Sequence, residues 1–176
     1  MIVPQFAIVA RRRAYTGGMN AAGRTRRSRP LARWLLLLAI SWWWAAPAFA
    51  DNCSITTQPM AFGAYDPVTA SAPLDTTGNV EVLCNQLNLV LVTLDQGSGS
   101  YAQRTLRQAG EVLNYNLYTD AARSSVWGDG NYGTDFGFDL CFRKTACDFT
   151  IYGRIPAAQD VGVGTYIDTI GVTIYF

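Results

Sequence analysis

The last thirteen residues of the chain, 164–176, alternate between two sets of side chains. One set consists of Tyr166, Asp168, Ile170, Val172, Ile174 and Phe176, in which Asp168 is the only charged member. The other set consists of Ile167, Thr169, Gly171, Thr173 and Tyr175. Alternation with a period of two, rich in β-branched and aromatic residues, predicts a β-strand with one buried face. The given sequence stops on this strand, so we expect that a further strand beside it comes from another molecule.

Shorter segments of the same type recur through residues 53–155 and are separated by Gly- and Pro-rich turns. They are 53–60 (ended by Pro59), 78–84, 89–94, 112–118, 125–127, 136–142 and 149–155. Residues 68–75 are predicted as a loop or an edge strand and residues 96–100 as a loop, and the aromatic residues of the turn at 62–67 are expected to pack against the core. No segment has the periodicity of an amphipathic helix. The pattern therefore predicts an all-β fold, an antiparallel β-sandwich.

The first fifty residues have the organisation of a secretory signal peptide. Five arginines between positions 24 and 33 precede the apolar run 34–46, and the small-x-small sequence Ala48-Phe49-Ala50 follows it. We predict cleavage after Ala50, with 1–50 as signal peptide and 51–176 as the mature domain. Three alternatives stay open: translation from Met19, export by a twin-arginine route through Arg26-Arg27, and a retained anchor. The apolar run is short of the roughly 20 residues that span a bilayer.

Removal of the leader changes the charge of the chain. Residues 51–176 contain six basic and thirteen acidic residues, a net charge of −7, whereas the whole sequence has +1. Nucleic-acid binding calls for clustered Lys and Arg, so an exported domain with this charge is not expected to bind nucleic acid. We expect it to meet a membrane only through the signal peptide. Trp127 is the one tryptophan after position 50.

The mature segment contains four cysteines, and disulfides are the default state of cysteine in an exported protein. Four cysteines allow three pairings, of which we favour Cys53–Cys84 and Cys141–Cys147. A metal site is the rival interpretation. The spacing lacks paired C-x-x-C motifs and the chain has no histidine, so no metal ion is expected.

No arrangement of residues indicates catalysis. The absence of histidine excludes a Ser-His-Asp or Cys-His site. The run 129–135 faintly resembles a calcium loop but lacks its closing glutamate. Pairs of aspartates suggest a glycosidase only weakly: they are Asp129 with Asp135, and Asp139 with Asp148. Trp127 is expected in the core rather than as an exposed sugar-stacking residue. We therefore expect a protein that is not an enzyme and has no cofactor.

Six motifs, in order along the chain, resemble the spore coat protein U domain family, which includes the subunits of archaic chaperone–usher pili. They are Phe62-Gly-x-Tyr65-Asp66, Leu94-Asp-Gln-Gly97 with Arg104, Leu113-x-Tyr-x-Leu-Tyr118-x-Asp120, Trp127-Gly-Asp-Gly130, Tyr152-Gly-Arg-Ile-Pro156 and Gly164-x-Tyr-x-Asp-Thr169. The resemblance covers residues 53–176.

The resemblance implies an immunoglobulin-like sandwich that lacks its last strand. A periplasmic chaperone would lend a strand first, and another pilus subunit would replace it at an outer-membrane usher. Such β-augmentation combines main-chain hydrogen bonds with pockets for alternate side chains. The implied acceptor groove is lined by Ile170, Val172, Ile174 and Phe176, with Ile55 as its other wall. The localisation implied is the periplasm and then the cell surface or an extracellular fibre, with roles in cell adhesion and biofilm formation.

The sequence departs from the polymerising pattern before Cys53. Only Asp51 and Asn52 remain there after the predicted cleavage, whereas a donor strand needs about ten residues at roughly 3.3 Å each. We therefore expect a chain that accepts a strand but donates none, as at the tip or cap of a fibre. The alternatives are a stand-alone secreted coat or matrix protein and a carbohydrate-binding β-sandwich.

Overall fold

A computed structural model describes the backbone of residues 5–13 and the residues 52–67 and 71–176 in full. These residues belong to one compact unit, which comprises 1–15 and 51–176. They form nine strands: β1 (Gln5–Arg13), β2 (Cys53–Gln58), β3 (Leu74–Cys84), β4 (Asn88–Leu94), β5 (Arg104–Gln108), β6 (Glu111–Tyr118), β7 (Gly137–Cys141), β8 (Ala146–Ile155) and β9 (Ile167–Tyr175). Within this described part, no helix is long and apolar enough to cross a membrane.

The strands form two sheets that share β6. The first has the order β2-β3-β8-β6 and the second continues from β6 through β5 and β9 to β4 and β7. The first half of β6 pairs with β5 and its last three residues pair with β8. Because β6 passes from one sheet to the other, the two sheets enclose a common core. The prediction of an all-β, immunoglobulin-like antiparallel sandwich is confirmed.

The core is built from the alternate residues that the sequence pattern selected. Strands β4, β8 and β9 bury their inward-facing sets almost completely, and β3 does so from Val80 to Cys84. Representative buried residues are Val82, Val92, Ile151 and Ile174. Trp127 packs among them with 2% of its surface exposed, and its indole Nε1–H donates to the Val92 carbonyl at 3.0 Å. At about 25 cal/mol per Å² of apolar surface, this burial is the main force that holds the two sheets together.

One disulfide lies within the first sheet and another joins the two sheets, with the pairing that the sequence favoured. Cys53–Cys84 joins β2 to β3, and these two cysteines stand opposite each other in the strand ladder. Cys141–Cys147 joins the end of β7 to β8.

Several strand boundaries differ from the sequence-based prediction. β3 begins at Leu74, inside the segment predicted as a loop or an edge strand, because Leu74–Thr77 pairs with the end of β8. β5 was not predicted at all. The predicted strand 125–127 is wrong, since Val126 and Trp127 form only isolated bridges.

In the full chain, the neighbour of the last strand comes from the same molecule, whereas the expectation of a strand from another molecule concerned the chain after cleavage and stays a prediction. Gln5–Arg13 of the same molecule forms β1, which pairs with β9 in parallel along its whole length, from Gln5 opposite Ile167 to Arg13 opposite Tyr175. The physical reason is that an unpaired strand edge is satisfied by any extended segment within reach. β1 lies inside the predicted leader; the rest of that prediction, including the apolar run and the cleavage site, lies outside the described residues.

Candidate functional site at the edge of the last strand

β9 has two edges with different neighbours. On one side, β4 and β5 follow each other, with Leu94 opposite Val172 and Arg107 opposite Ile167. On the other side β1 alone is paired. β1 is the only parallel partner among the paired strands of the described residues. The first edge is therefore built by strands of the antiparallel domain itself. The second edge is paired by β1, a segment that ends about forty residues before β2 begins.

The residues predicted to line an acceptor groove lie on both margins of this second edge. Ile170, Val172 and Ile174 are buried on the inner face of β9, and Phe176 packs partly buried against the same core. Ile55, also partly buried, lies on β2 opposite Val82. β2 is the outermost strand of the other sheet, and its Cα atoms come within 8 Å of those of β1. β1 therefore lies between the two margins that the sequence named.

Asp168, the single charged residue on the buried face of β9, has a defined role. Its Oδ1 accepts hydrogen bonds from the Ser98 backbone N–H at 3.0 Å and from the Ser98 hydroxyl at 2.8 Å. Its Oδ2 accepts from the Tyr115 hydroxyl at 2.6 Å. Burial, and then the negative charge of Asp168, raise the pKa of Tyr115 well above its usual value of 10. The carboxylate thus ties β9 to β6 and to the loop between β4 and β5.

Arg104 lies at the centre of a second cluster of buried polar groups, in addition to the cluster around Asp168. Its side chain is fully buried, and it donates to three neutral acceptors. Nε and Nη2 donate to the Asp95 carbonyl at 3.1 and 2.7 Å, Nη2 also donates to the Trp127 carbonyl at 2.6 Å, and Nη1 donates to Asn116 Oδ1 at 2.7 Å. Burial lowers the pKa of the guanidinium. These bonds fix the end of β4, the middle of β6 and the segment around Trp127 relative to one another.

Two glycines of the sequence motifs are required by these close contacts. Gly97 has a φ of +59°, and a Cβ there would collide with the Asp168 carboxylate and with Ile170. At Gly153 a Cβ would come within 2.7 Å of Met60 Sδ and 2.8 Å of Phe62. The motif residues are thus structural: they let a loop and a strand approach the buried groups.

Tyr65 joins two more of the motifs. Its hydroxyl donates to the Pro156 carbonyl at 3.2 Å and accepts from the Gln159 backbone N–H at 2.8 Å. The ring itself is buried, as expected for the aromatic residues of this turn. The contact holds the segment after β2 against the end of β8.

Sequence reasoning missed the connection between these polar groups. The groove residues were named, but Arg104, Asn116 and Tyr115 were not assigned to a site. A signal was present, because Asp168 interrupts an otherwise apolar face and a buried charge needs partners.

The structure also bears on the sugar-binding interpretation of Trp127 and on the metal-binding interpretation of the aspartates. Trp127 is buried and bonded, so the expectation that it lies in the core is right and its use as an exposed sugar platform is wrong. In the 129–135 loop, Asp129 Oδ1 accepts from the Asn131 backbone N–H at 3.0 Å, the bond of an ordinary turn. No group of metal-ligating side chains forms within the described ranges.

The sequence matches a known protein family and a known protein. The profile of the family described as "Spore Coat Protein U domain" matches residues 41–173. The chain is 35% identical over 128 residues to Protein U of Myxococcus xanthus, in an alignment that covers 65% of this chain and 70% of Protein U.

The chain also aligns with solved structures. One of them is a chain in the crystal structure of the chaperone–tip adhesion subunit pre-assembly complex from archaic chaperone–usher Csu pili of Acinetobacter baumannii. The identity is 21% and the TM-score 0.49, and the alignment covers 72% of this chain but only 40% of that one. On the strength of the profile match and of Protein U, this chain belongs to the Spore Coat Protein U domain family.

Proposed function

We propose that this protein is an exported structural subunit of a chaperone–usher type surface fibre, and that it accepts a strand from a partner along the second edge of β9. One observation carries the proposal. That edge takes up a strand over all nine residues of β9, and the strand that it takes up lies within the predicted leader. Cleavage after Ala50 would remove β1 and leave the backbone groups of β9 unpaired beside a groove that opens into the core.

The arrangement of the buried residues supports acceptance of a strand rather than catalysis. Ile170, Val172 and Ile174 offer alternating apolar positions, which β-augmentation uses for register. The nearby side chains of Arg104 and Asp168 are engaged in hydrogen bonds that hold β9 and its neighbours. We therefore assign the polar centre a structural role beneath the groove.

The partners in this proposal follow from the family. A periplasmic chaperone would fill the edge first, and another subunit would fill it at an outer-membrane usher. With only Asp51 and Asn52 before Cys53 in the mature chain, the subunit would accept a strand without donating one, at the tip or cap of a fibre. Its final location would be the cell surface, with a role in adhesion.

A strand-binding assay tests the proposal directly. The exported chain is mixed with a fluorescent peptide of sequence QFAIVARRR, which is the sequence of β1, and binding is followed by anisotropy. Two matched control peptides carry N-methyl groups on alternate residues, one at Phe6, Ile8 and Ala10 and the other at Ala7, Val9 and Arg11. In a parallel pair, only alternate residues of a strand point their N–H groups to the neighbour. One methylated peptide should therefore lose binding and the other should keep it.

The uncleaved precursor provides a second control. Because its own β1 occupies the edge, it should bind the peptide at least tenfold more weakly than the cleaved chain. Equal loss of binding with both methylated peptides, or no binding of any peptide by the cleaved chain, would show that the edge does not accept a strand.

A second candidate is a coat or matrix protein that is complete in itself, and the pairing of β1 with β9 also favours it. If β1 is retained, the chain fills its own edge and needs no partner. Mass spectrometry of the exported chain separates the two candidates. A mass that includes residues 5–13, together with refusal of the peptide, would favour the coat protein, whereas a mass that starts at Asp51 would favour the fibre subunit.

A further inference from the structure

The outer surface of β4 and β7 is apolar and exposed. These strands are antiparallel, and Leu89 stands opposite Leu140 and Leu91 opposite Phe138. Opposite residues of an antiparallel pair share a face, and Val90 and Val92 fill the inner one. Continuing the same alternation places Leu87 and Phe142 beyond the ends of the ladder. We define the outer face as Leu87, Leu89, Leu91, Phe138, Leu140 and Phe142.

The exposure of this face exceeds what isolated surface residues show. Phe138 is 67% exposed, Phe142 61%, Leu87 and Leu89 56% each, and Leu140 44%. With side-chain areas of 150–250 Å² for aromatic residues and somewhat less for Leu, the face exposes about 500 Å² of apolar surface. Patches of about 300–600 Å² are the largest on typical monomers and commonly bind something.

A groove lies beside the protruding phenylalanines. It has a volume of about 520 Å³ and is walled by residues of β4, the end of β9 and the loop before β7: Leu89, Leu91, Thr93, Asp129, Asn131, Phe136, Tyr175 and Phe176. Phe138 packs against Phe136 at the rim of this groove, with ring centroids 6.1 Å apart. The surface therefore carries a projecting aromatic side chain and a recess large enough for another, next to each other.

We propose that the outer face is a contact between two copies of this chain. A two-fold axis across the face would place Phe138 of each copy in the groove of the other, because an isologous contact pairs each feature with its complement. Two faces of about 500 Å² bury about 1,000 Å² together, which is the lower limit for a specific contact between proteins. The two sheets would pack face to face, as in the interior of a sandwich.

The response of the contact to salt distinguishes a second copy of this chain from a basic partner of another kind. Asp129 is the one charged side chain in the wall of the groove, and the mature chain has a net charge of −7. Two copies therefore repel at long range, and this repulsion weakens as salt screens it. Association of two copies should become stronger with salt, whereas binding of a basic partner would become weaker.

Sedimentation equilibrium of the exported chain tests the proposal, with peptide QFAIVARRR present and absent. The peptide serves only to remove strand exchange as a source of association. If the peptide did not bind, strand acceptance would be refuted, but the test of dimer formation through the outer face would remain valid. The chain should form a dimer with a dissociation constant in the micromolar to millimolar range, tightening several-fold between 50 and 500 mM NaCl. The double variant Leu89→Ser, Phe138→Ser should raise the dissociation constant at least tenfold.

A control is Val163→Ser, which removes an even more exposed apolar side chain outside the outer face. It should leave the dissociation constant unchanged, and Trp127 fluorescence should show that all variants are folded. The proposal is overturned by a chain that stays monomeric to about 1 mM, by a dimer that the double variant leaves intact, or by self-association that salt weakens.

Discussion

Arg104 offers the sharpest test of how this domain holds its last strand in place. The substitution Arg104→Met keeps most of the side-chain length and removes the donors. It leaves the carbonyls of Asp95 and Trp127 without the guanidinium that now bonds them. The amide oxygen of Asn116 loses one of its two donors and keeps the other, the Leu117 backbone N–H at 2.9 Å. An orphaned buried acceptor costs about 1–3 kcal/mol. The burial of Arg104, which lowers its pKa, shows that the native charge is itself costly, and the variant regains that cost. With two acceptors orphaned, we expect a net loss of about 2–4 kcal/mol in the free energy of unfolding.

Equilibrium unfolding in urea, followed by fluorescence, measures this loss. Trp127 is the only tryptophan in residues 51–176, and its side chain is buried. Its backbone carbonyl accepts a hydrogen bond from the Arg104 guanidinium. Its emission therefore reports the region that the substitution changes. Arg107→Met is the matched control on the same strand, because Arg107 is exposed and makes one bond, to the Ser98 carbonyl at 3.0 Å. We expect it to cost less than about 1 kcal/mol.

The outcome that contradicts this reasoning is a loss for Arg104→Met below about 1 kcal/mol, or one equal to that of Arg107→Met. Either result would mean that water or rearranged groups satisfy the orphaned acceptors, and that the buried network contributes little to the position of β9.

Two further predictions concern the same core. Tyr115→Phe should cost about 1.5–3 kcal/mol, because it removes the bond to the Asp168 carboxylate. Burial raises the pKa of Tyr115 in the folded chain, so its contribution is complete below about pH 10 and declines by about 1.4 kcal/mol per pH unit as the pH rises further. Urea unfolding between pH 9 and 11 should show a shallower decline for the variant than for the native chain, and equal slopes would contradict the assignment. Replacement of Cys53 and Cys84 by Ala should cost about 4 kcal/mol, against about 2 for Cys141 and Cys147, because the closed loops differ in length, with sequence separations of 31 and 6. Thermal unfolding that ranks the two pairs in the reverse order would show that chain entropy is not the main contribution.

Local patterns in the chain were enough to predict much of the fold. The alternation of residues 166–176 predicted both β9 and its buried face, because a period of two is a property of neighbouring residues that any sheet must respect. The same argument separated the two faces of β3 and of β6. Of the three possible pairings of the four cysteines, the favoured one is the pairing that the structure contains.

Other features depend on segments far apart in the chain. The partners of Arg104 come from Asp95, Asn116 and Trp127, and no local pattern predicts that three such groups meet around a polar residue of a short strand. Leu74–Thr77 extends β3 because β8 lies alongside it. Residues 89–92 of β4 are apolar on both faces, so the sequence alone does not show which face the other sheet covers and which face stays exposed.

The edge of β9 shows most clearly which features follow from the local sequence and which depend on the tertiary structure. The residues that line it could be named from the alternation and the family motifs, because side-chain direction follows from strand geometry. That β1 pairs with this edge, in parallel and over nine residues, was decided by the tertiary structure alone. Backbone hydrogen bonding between strands is almost independent of sequence, so the identity of a neighbouring strand depends on which segments the fold brings within reach.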